Sequence, residues 1–508
     1  MFRKRRRRML ARVLGAVSFC LLACRHSPAQ TLLPPYHWAY DYAEQLRLLG
    51  PDTSLDFSLR PFLASTLSGF VAGRRPFLAH ARFAPFLHLE AYFPSKEIPA
   101  SNVGLSLSVD SDNLVGRVSP GRADALRHTQ RGIIGFSWRG QLSARTTVLL
   151  DNRLDEDPTY LGKRQSGYAS YAEESYVVLT VPNFELLLGR AFCSWGPASS
   201  GSLILSDVQR PMDRVSVRFH YRWLYYCHVS AFLDRVGENN RYFSGHRFDI
   251  RLRPTVWLGL SETVVYGGPL LSPRFAFHIP VIPLFDPTVN ESLGIGGDAN
   301  IMGAVDVSVY PASGLQLYGQ LLIDDIQVER QLPGDLEPAE WGFLVGLRGL
   351  PAGVFSEIEY ARVTNRTYKT LHGFTNYVHR NRPLGFPYGS DCDRLWLRAN
   401  HWLRDAFRAQ THVLFLRRGE GSMDKPFDQP WNIPGLAHYS EPFPTGIVES
   451  TWRAQLELRW HPVTRFGFAE AVLGYEAVRN VGNRAGENSR GLYYWFRLWL
   501  ELGHSWSL

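Results

Sequence analysis

The feature that most constrains this chain is a repeated alternation of apolar and polar residues over long segments, the pattern of strands with one face in an apolar medium and the other in water. Over residues 451–461, Trp452, Ala454, Leu456, Leu458 and Trp460 interleave with Arg453, Gln455, Glu457, Arg459 and His461. Near the C-terminal end, Tyr494, Phe496, Leu498, Leu500 and Leu502 alternate with Tyr493, Trp495, Arg497, Trp499 and Glu501. Further copies set Val215, Val217, Phe219 and Tyr221 against Arg214, Ser216, Arg218, His220 and Arg222, and Phe248, Ile250 and Leu252 against Arg247, Asp249, Arg251 and Arg253. A soluble sandwich alternates too. These segments, however, run roughly nine to eleven residues, enough to cross a bilayer at a tilt and longer than the usual soluble strand. Aromatics such as Trp223, Tyr225, Tyr226 and Trp460 crowd the strand ends, as in interfacial girdles. After the first thirty residues or so no apolar run approaches the ~20 residues of a spanning helix. The expected fold class is all-β, a transmembrane antiparallel β-barrel.

The N-terminus reads as an export signal. Arg3, Lys4, Arg5, Arg6, Arg7 and Arg8 precede an apolar stretch from Val13 to Ala23 and a small-residue site at Ser27-Pro28-Ala29. Cleavage after Ala29 is the first expectation; Leu21-Leu22-Ala23-Cys24 also has the form of a lipoprotein box that would leave Cys24 acylated. The segment 1–29 holds eight basic and no acidic residues, so the net charge of +8 minus 8 leaves a mature chain near zero. The basic pI therefore belongs to the targeting signal and does not point to nucleic acid. Only Cys193, Cys227 and Cys392 are surely mature, an odd and scattered set that implies neither a disulfide framework nor a zinc site.

The mature length of about 480 residues would suit three soluble domains; it suits equally one barrel of about 16 to 18 strands. Residues 479–490 and 417–441, rich in Gly, Pro, Asn and charge, read as long surface loops, and Pro311-Ala312-Ser313-Gly314 as a short turn. Residues 35–49 lack strand alternation and read as a short helix ended by Gly50, on the periplasmic side ahead of the first strand. The expected organisation is a signal peptide at 1–29, a periplasmic helical segment at 30–80 and an outer-membrane barrel at 81–508.

Leu188-Gly189-Arg190, then Ser194-Trp195-Gly196-Pro197, Ser200-Gly201-Ser202-Leu203 and Leu205-Ser206-Asp207 resemble the signature of capsule-assembly (Wzi-like) outer-membrane proteins. Three stretches agree in order: His37-Trp38-Ala39-Tyr40-Asp41, Leu317-Tyr318-Gly319-Gln320 leading to Ile323-Asp324-Asp325, and Pro383-Leu384-Gly385 leading to Ser390-Asp391. Ala198 stands where a glycine would be expected, and Cys193 replaces a more usual polar or aromatic residue. The resemblance spans nearly the whole mature chain. It implies an 18-stranded barrel with a small periplasmic helical part, resident in the cell outer membrane among its lipid, that helps attach capsular or exopolysaccharide, with polysaccharide export machinery as a further partner. It implies neither catalysis nor a cofactor.

The residues add a polar strand face carrying aromatics. Trp396 and Trp402 share register with Arg394, Arg398, Asn400 and Arg404, and Trp495 and Trp499 with Arg497. Such a face suits sugar rings with acidic substituents, since ring C–H faces stack and Arg pairs with carboxylate; packing against a plug or inward loop is the alternative, and the more ordinary role for such aromatics. Within the signature, Arg190 and Asp207 are candidates for a buried ion pair, with direct ligand binding as the alternative, while Gly196, Pro197 and Gly201 would shape a tight inward or periplasmic loop beside Ser202 and Ser206. Asp324 and Asp325 end a strand and point to opposite faces, which rules out a catalytic dyad and favours a turn cap over a cation site.

Enzyme signatures are missing: there is no Gly-x-Ser-x-Gly, His-Glu-x-x-His, Walker loop or Cys-x-x-Cys. Gly294-Ile295-Gly296-Gly297-Asp298-Ala299 matches a loose dinucleotide fingerprint, but residues 304–310 alternate as a strand where a helix is required. Three functions remain: a polysaccharide-binding barrel, a general or sugar-specific porin, and a barrel lipase or acyltransferase. Conductance separates the first two, and lipid hydrolysis lost with a single Ser or His marks the third.

Overall fold

The alternating segments close on themselves. In a computed structural model that describes residues 31–49, 55, 57–78, 83–93, 103–120, 124–153, 160, 162–163, 167–236, 239–268, 299–326, 336–371, 373–464 and 467–507, eighteen antiparallel strands form a closed barrel. They are β1 Val103–Arg117, β2 Ala125–Trp138, β3 Leu142–Asp151, β4 Ala169–Val181, β5 Phe184–Ala191, β6 Met212–Tyr221, β7 Leu224–Val236, β8 Asn239–Arg253 and β9 Val256–Gly268. The ring continues through β10 Ala299–Ala312, β11 Leu315–Asp325, β12 Glu340–Gly349, β13 Phe355–Val363, β14 Cys392–Arg404, β15 Phe407–Arg418, β16 Glu449–Trp460, β17 Gly467–Arg479 and β18 Asn488–Ser507. Each strand pairs with the next in sequence, and β18 returns to β1 in a register running from Gly104 opposite Ser507 to Arg117 opposite Tyr494. Closure leaves no unpaired edge in the apolar layer, the condition under which strands can span a bilayer. The proposed signal at 1–29 and the glycine run at 294–298 lie outside the described residues.

The two faces sort as the alternation requires. Leu105, Leu107, Val109, Val215, Phe219, Leu456 and Leu458 are exposed on the outer wall, whereas Arg214, Ser216, Arg247 and Asp249 are buried within. One rim carries the tight connections, such as Arg222-Trp223 and Ser313-Gly314, and the opposite rim the long ones, including residues 364–391 and 419–448. Exposed Trp138, Tyr221, Trp223, Phe407, Trp460 and Trp506 ring the tight-turn rim, the interfacial girdle expected there. By the usual polarity of such barrels the tight turns face the periplasm.

The chain ahead of β1 is helical: α1 Ala39–Leu48, α2 Ala64–Leu78 and α3 Ala84–Tyr92. The helical part thus reaches beyond residue 80 and the barrel starts at Val103, not 81. The reason is local: residues 84–92 (APFLHLEAY) are apolar without alternation and carry Pro85 in the first turn, where proline's fixed φ favours a helix start. The segment fills the tight-turn mouth. Leu48 accepts at 2.7 Å from the backbone N–H of Gly314 in a turn of that rim, His88 donates to the Asp405 carbonyl at 2.8 Å, and Tyr42 pairs with His461 at 2.9 Å. α1 has polar residues on every face and is buried almost all round, Glu44, Gln45 and Arg47 included; a polar lumen, unlike an apolar core, supplies partners on each side.

Two loops from the opposite rim fold inward and meet. Trp195, Leu203, Ile204 and Leu205 of the β5–β6 loop form one apolar cluster with Tyr368, Tyr377, Leu384 and Phe386 of the β13–β14 loop. Tyr368 and Tyr377 donate to the carbonyls of Leu203 (2.6 Å) and Ile204 (2.8 Å). Leu59-Arg60 pairs as a short strand with Ser194-Trp195, joining the helical segment to this loop.

Candidate functional site

The wall opposite the inward loops leaves the lumen open. Its residues come from the inward period of β1 and β2 (Ser106, Ser108, Asp110, Asp112; Arg127, Thr129, Arg131), joined by β18 across the closure. In β4 the register skips between Thr147 and Val148 of β3, so that Glu173 is the extra residue of a bulge. A bulge lets neighbouring side chains turn to one face, and both Glu173 and Glu174 are buried. Glu173 takes Arg131 at 2.7 Å and the Tyr36 hydroxyl at 2.9 Å; Glu174 lies 3.5 Å from Arg145.

Two connected cavities result. The lower, about 530 Å³, is bounded by the helical segment through Tyr36, His37, Trp38 and Asp41 and by the wall through Arg398, Arg408, Arg497 and Trp499. The upper, about 1560 Å³, opens among the long loops. Tyr36, Asp112, Arg131, Asp207 and Arg497 line both, so the two make one cleft. At its floor Asp41 binds Arg398 (2.7 Å) and Arg408 (2.5 Å), which also hold Glu357 (2.7 Å) and Glu457 (2.9 Å). Burial pushes the Asp41 carboxyl up, but Arg398, Arg408 and Arg459 outweigh it and hold the group well below the usual carboxylate range. Burial, reinforced by Arg145, lowers His37 to about 3; burial also lowers His88 to about 4. Higher up, Arg497 grips Asp112 with two bonds of 2.8 and 2.7 Å, and Arg127 binds Asp151 at 2.7 Å.

The residues expected from sequence divide by strand. On β18, Trp495 and Arg497 line the upper cavity and Trp499 the lower, where Trp499 stacks on Phe468 at 5.3 Å. On β14 only Arg398 reaches the cleft. Trp402 packs on Tyr42 (5.2 Å) and His88 (5.0 Å) of the helical segment, and Trp396 sits against the inward-loop cluster. Arg394 anchors that loop, donating to the Ser200 carbonyl at 2.9 Å and meeting Glu359 at 3.1 Å.

The signature folds as an inward loop. Gly196 (φ +125°) and Gly201 (φ +117°) occupy backbone regions that L side chains rarely adopt, and a Cβ would strike the Ser202 hydroxyl or the Pro387 ring. Ser202 donates to Gln320 at 2.9 Å, and the backbone N–H of Ser206 to the Leu384 carbonyl at 2.7 Å. Trp195 is fully buried, and Gly189 takes a positive φ in β5. Pro197 accepts from Arg348. The expected Arg190–Asp207 pair does not form. Arg190 binds Asp213 at 2.7 Å with both groups partly exposed, because Asp213 is its direct cross-strand partner on β6. Asp207 faces the cleft instead, where burial raises its carboxyl pKa against the opposing pull of Arg60. Asp324 caps the β13–β14 loop, accepting from the Tyr368 N–H at 2.6 Å; Asp325 is exposed on the other face.

Sequence reasoning missed Tyr36, Asp112, Arg127, Arg131, Glu173, Arg210, Arg380 and Arg382, all of which line the cleft. The alternation of residues 105–112 and 126–131 would have found Asp112, Arg127 and Arg131; nothing local marks Tyr36, the bulge residue Glu173 or the loop arginines.

The profile of the family described as capsule assembly protein Wzi matches residues 124–491. No curated protein matches the chain in sequence. Among solved structures, Wzi of Escherichia coli, described as an outer-membrane protein involved in group 1 capsule assembly and a carbohydrate-binding β-barrel, is 15% identical with a TM-score of 0.57, over 93% of this chain and 99% of that one. OccAB4 of Acinetobacter baumannii (8% identity, TM-score 0.46, 80% of this chain and 100% of that one) and OprD of Pseudomonas aeruginosa (11%, 0.45, 80% and 95%) are more distant.

Proposed function

The chain belongs to the capsule assembly protein Wzi family, and from that premise we propose that this outer-membrane barrel holds surface polysaccharide in its lumen cleft and assists its assembly on the cell. The observation that carries the reading is the shape of the cleft, wide among the long loops and stopped by the helical segment at the tight-turn mouth. A lumen stopped at one end retains a polymer strand and does not pass solutes. Its lining suits sugars: Trp495 and Tyr171 offer ring faces, and Arg–carboxylate pairs such as Arg497–Asp112 offer both donors and acceptors. Delivery from polysaccharide export machinery to the long-loop rim completes the proposed role, with membrane lipid around the apolar wall.

The test is deletion of the gene in its host, with surface-attached and shed polysaccharide measured separately. Polymer that is made but shed, restored by the wild-type chain and not by Trp495→Ala, supports the reading. Unchanged attachment, together with steady conductance of the purified barrel in a planar bilayer, would return the protein to the porin class.

A further inference from the structure

The outer wall carries a pattern of its own at the long-loop rim. Outward-facing arginines there are matched one by one: Arg117 by Asp124 at 3.1 Å, Arg190 by Asp213 at 2.7 Å and Arg417 by Asp393 at 2.9 Å, while Arg362 lies over the Phe443 ring. Arg479 at the end of β17 and Arg490 near the start of β18 break the rule. Both are exposed, and among the described residues neither has an ion-pair or hydrogen-bond partner. The carboxylates around them are engaged elsewhere. Glu449 accepts from the Gly482 N–H at 2.7 Å, Glu487 meets Arg484 at 3.3 Å, and Glu476 turns inward to Arg453 at 2.7 Å.

Register gathers the two cations into one patch. Across the β17–β18 ladder Arg479 stands opposite Asn488 and Ala477 opposite Arg490, so the arginines are diagonal neighbours, close enough for long side chains to share one group. Across the β16–β17 ladder Ala477 stands opposite Trp452 and Tyr475 opposite Ala454. Trp452 and Tyr475 meet with 5.7 Å between ring centroids, and the small Ala454 and Ala477 leave a shallow trough beside them. Leu492, opposite Tyr475, and Leu473 beyond it are exposed. The order down the wall is thus cation, aromatic ring, aliphatic chain. The upper edge is fixed as well, because Asn480 donates to the Val448 carbonyl at 3.0 Å and ties the β17–β18 loop to the head of β16.

Two unmatched guanidiniums where the apolar wall ends suit an anion held at the membrane surface. A zwitterionic head group would bring its own cation to the same place, and a free anion would leave the aromatic and aliphatic rows unused. We propose that this face of β16–β18 docks a phosphorylated glycolipid of the outer leaflet, with Arg479 and Arg490 on its phosphate, Trp452 and Tyr475 facing its sugar, and Leu473 and Leu492 along its acyl chains. A guanidinium binds phosphate through parallel hydrogen bonds, and an aromatic face stacks on the C–H face of a sugar ring. The proposal rests on the outer-membrane placement and is independent of what the lumen holds.

The full chain purified in detergent tests this, with retained lipid measured by native mass spectrometry. The probes are a bis-phosphorylated lipid A, its dephosphorylated counterpart, and phosphatidylglycerol as an anionic lipid without a sugar. The phosphorylated glycolipid is expected to bind at least tenfold more tightly than either of the others, with an affinity that falls as salt rises. Arg479→Gln/Arg490→Gln should remove most of the preference over the dephosphorylated form, and Trp452→Leu most of the preference over phosphatidylglycerol. Arg484→Gln in the loop above should leave both unchanged, and heat-modifiable gel mobility reports whether each variant keeps its barrel. Equal affinity for the phosphorylated and dephosphorylated forms, phosphatidylglycerol binding as tightly as lipid A, or an unaltered preference in the double variant with its barrel intact would overturn the site.

Discussion

Asp41→Asn should unlock the helical segment from the barrel floor. The Asp41 carboxylate binds two buried guanidiniums, Arg398 at 2.7 Å and Arg408 at 2.5 Å. Removing one member of a buried pair costs about 3–5 kcal/mol. Each arginine keeps a second carboxylate, Glu357 or Glu457, which places the expected loss near the lower figure. About 3 kcal/mol is roughly a hundredfold in an equilibrium constant. In a planar bilayer the variant should therefore show about a hundredfold more frequent openings than the wild type, with heat-modifiable mobility unchanged because the eighteen-strand ring is untouched. The pH dependence carries the same sign. The folded pKa of Asp41 is depressed, so its contribution is complete above the unfolded value of about 3.9 and is lost as pH falls through the folded value. Wild-type openings should rise in strong acid, and the variant should lack that Asp41 component. Openings at wild-type frequency in Asp41→Asn, with Arg484→Gln in the exposed Arg484–Glu487 pair as surface control, would refute the account of how the floor is held.

Other variants separate the parts of the lumen. His88, lowered to about 4 by burial, stays neutral when docked, so docking should weaken by up to about 1.4 kcal/mol per pH unit as pH falls below about 6.5; His88→Gln should flatten this slope in bilayer openings scanned from pH 7 to 4. Trp402→Ala should raise opening frequency without altering glycan affinity, because its contacts are Tyr42 and His88, whereas Trp495→Ala should lower glycan affinity in a titration and leave the openings unchanged. Gly196→Ala should destabilise the inward loop by about 1–3 kcal/mol, read as earlier proteolytic cutting within residues 192–211, with Val208→Ala, an exposed position of the same loop, cut at a rate much nearer the wild type's.

The ring of strands was readable because alternation is a local property. Val215 and Phe219 could face only lipid once Arg214, Ser216 and Arg218 had to face water. The two-residue rhythm carries no information on depth or partner, however. Arg190 bound its cross-strand neighbour Asp213 and not Asp207 because register decides pairing, and register emerges only when strands are aligned. Glu173 and Glu174 violate the alternation outright, since a bulge turns both inward, and no residue type near them announces it. Trp396, Trp402 and Trp495 look alike in sequence; whether each meets loop, helix or open cleft depends on segments hundreds of residues away. The turn at Arg380-Asn381, which joins Val378-His379 to Arg382-Pro383 in a small hairpin of the β13–β14 loop, was hidden for a related reason: both residues are left-handed, yet neither is the glycine that usually marks such a turn.

The berth of the helical segment has a bearing on the order of biogenesis. Its contacts are spread around the circumference: Leu32 on Tyr176 of β4, Leu48 on the β10–β11 turn, Asp41 on β14 and β15, and Tyr92 on Glu501 of β18. No single hairpin or half-ring offers that set of partners. The part of the chain that leads in sequence must therefore wait, undocked and exposing Trp38, Tyr42 and Leu46, until the last strand has met the first. A seam between β18 and β1 that closes slowly would prolong that wait, and the earliest segment would be the one that needs a chaperone longest.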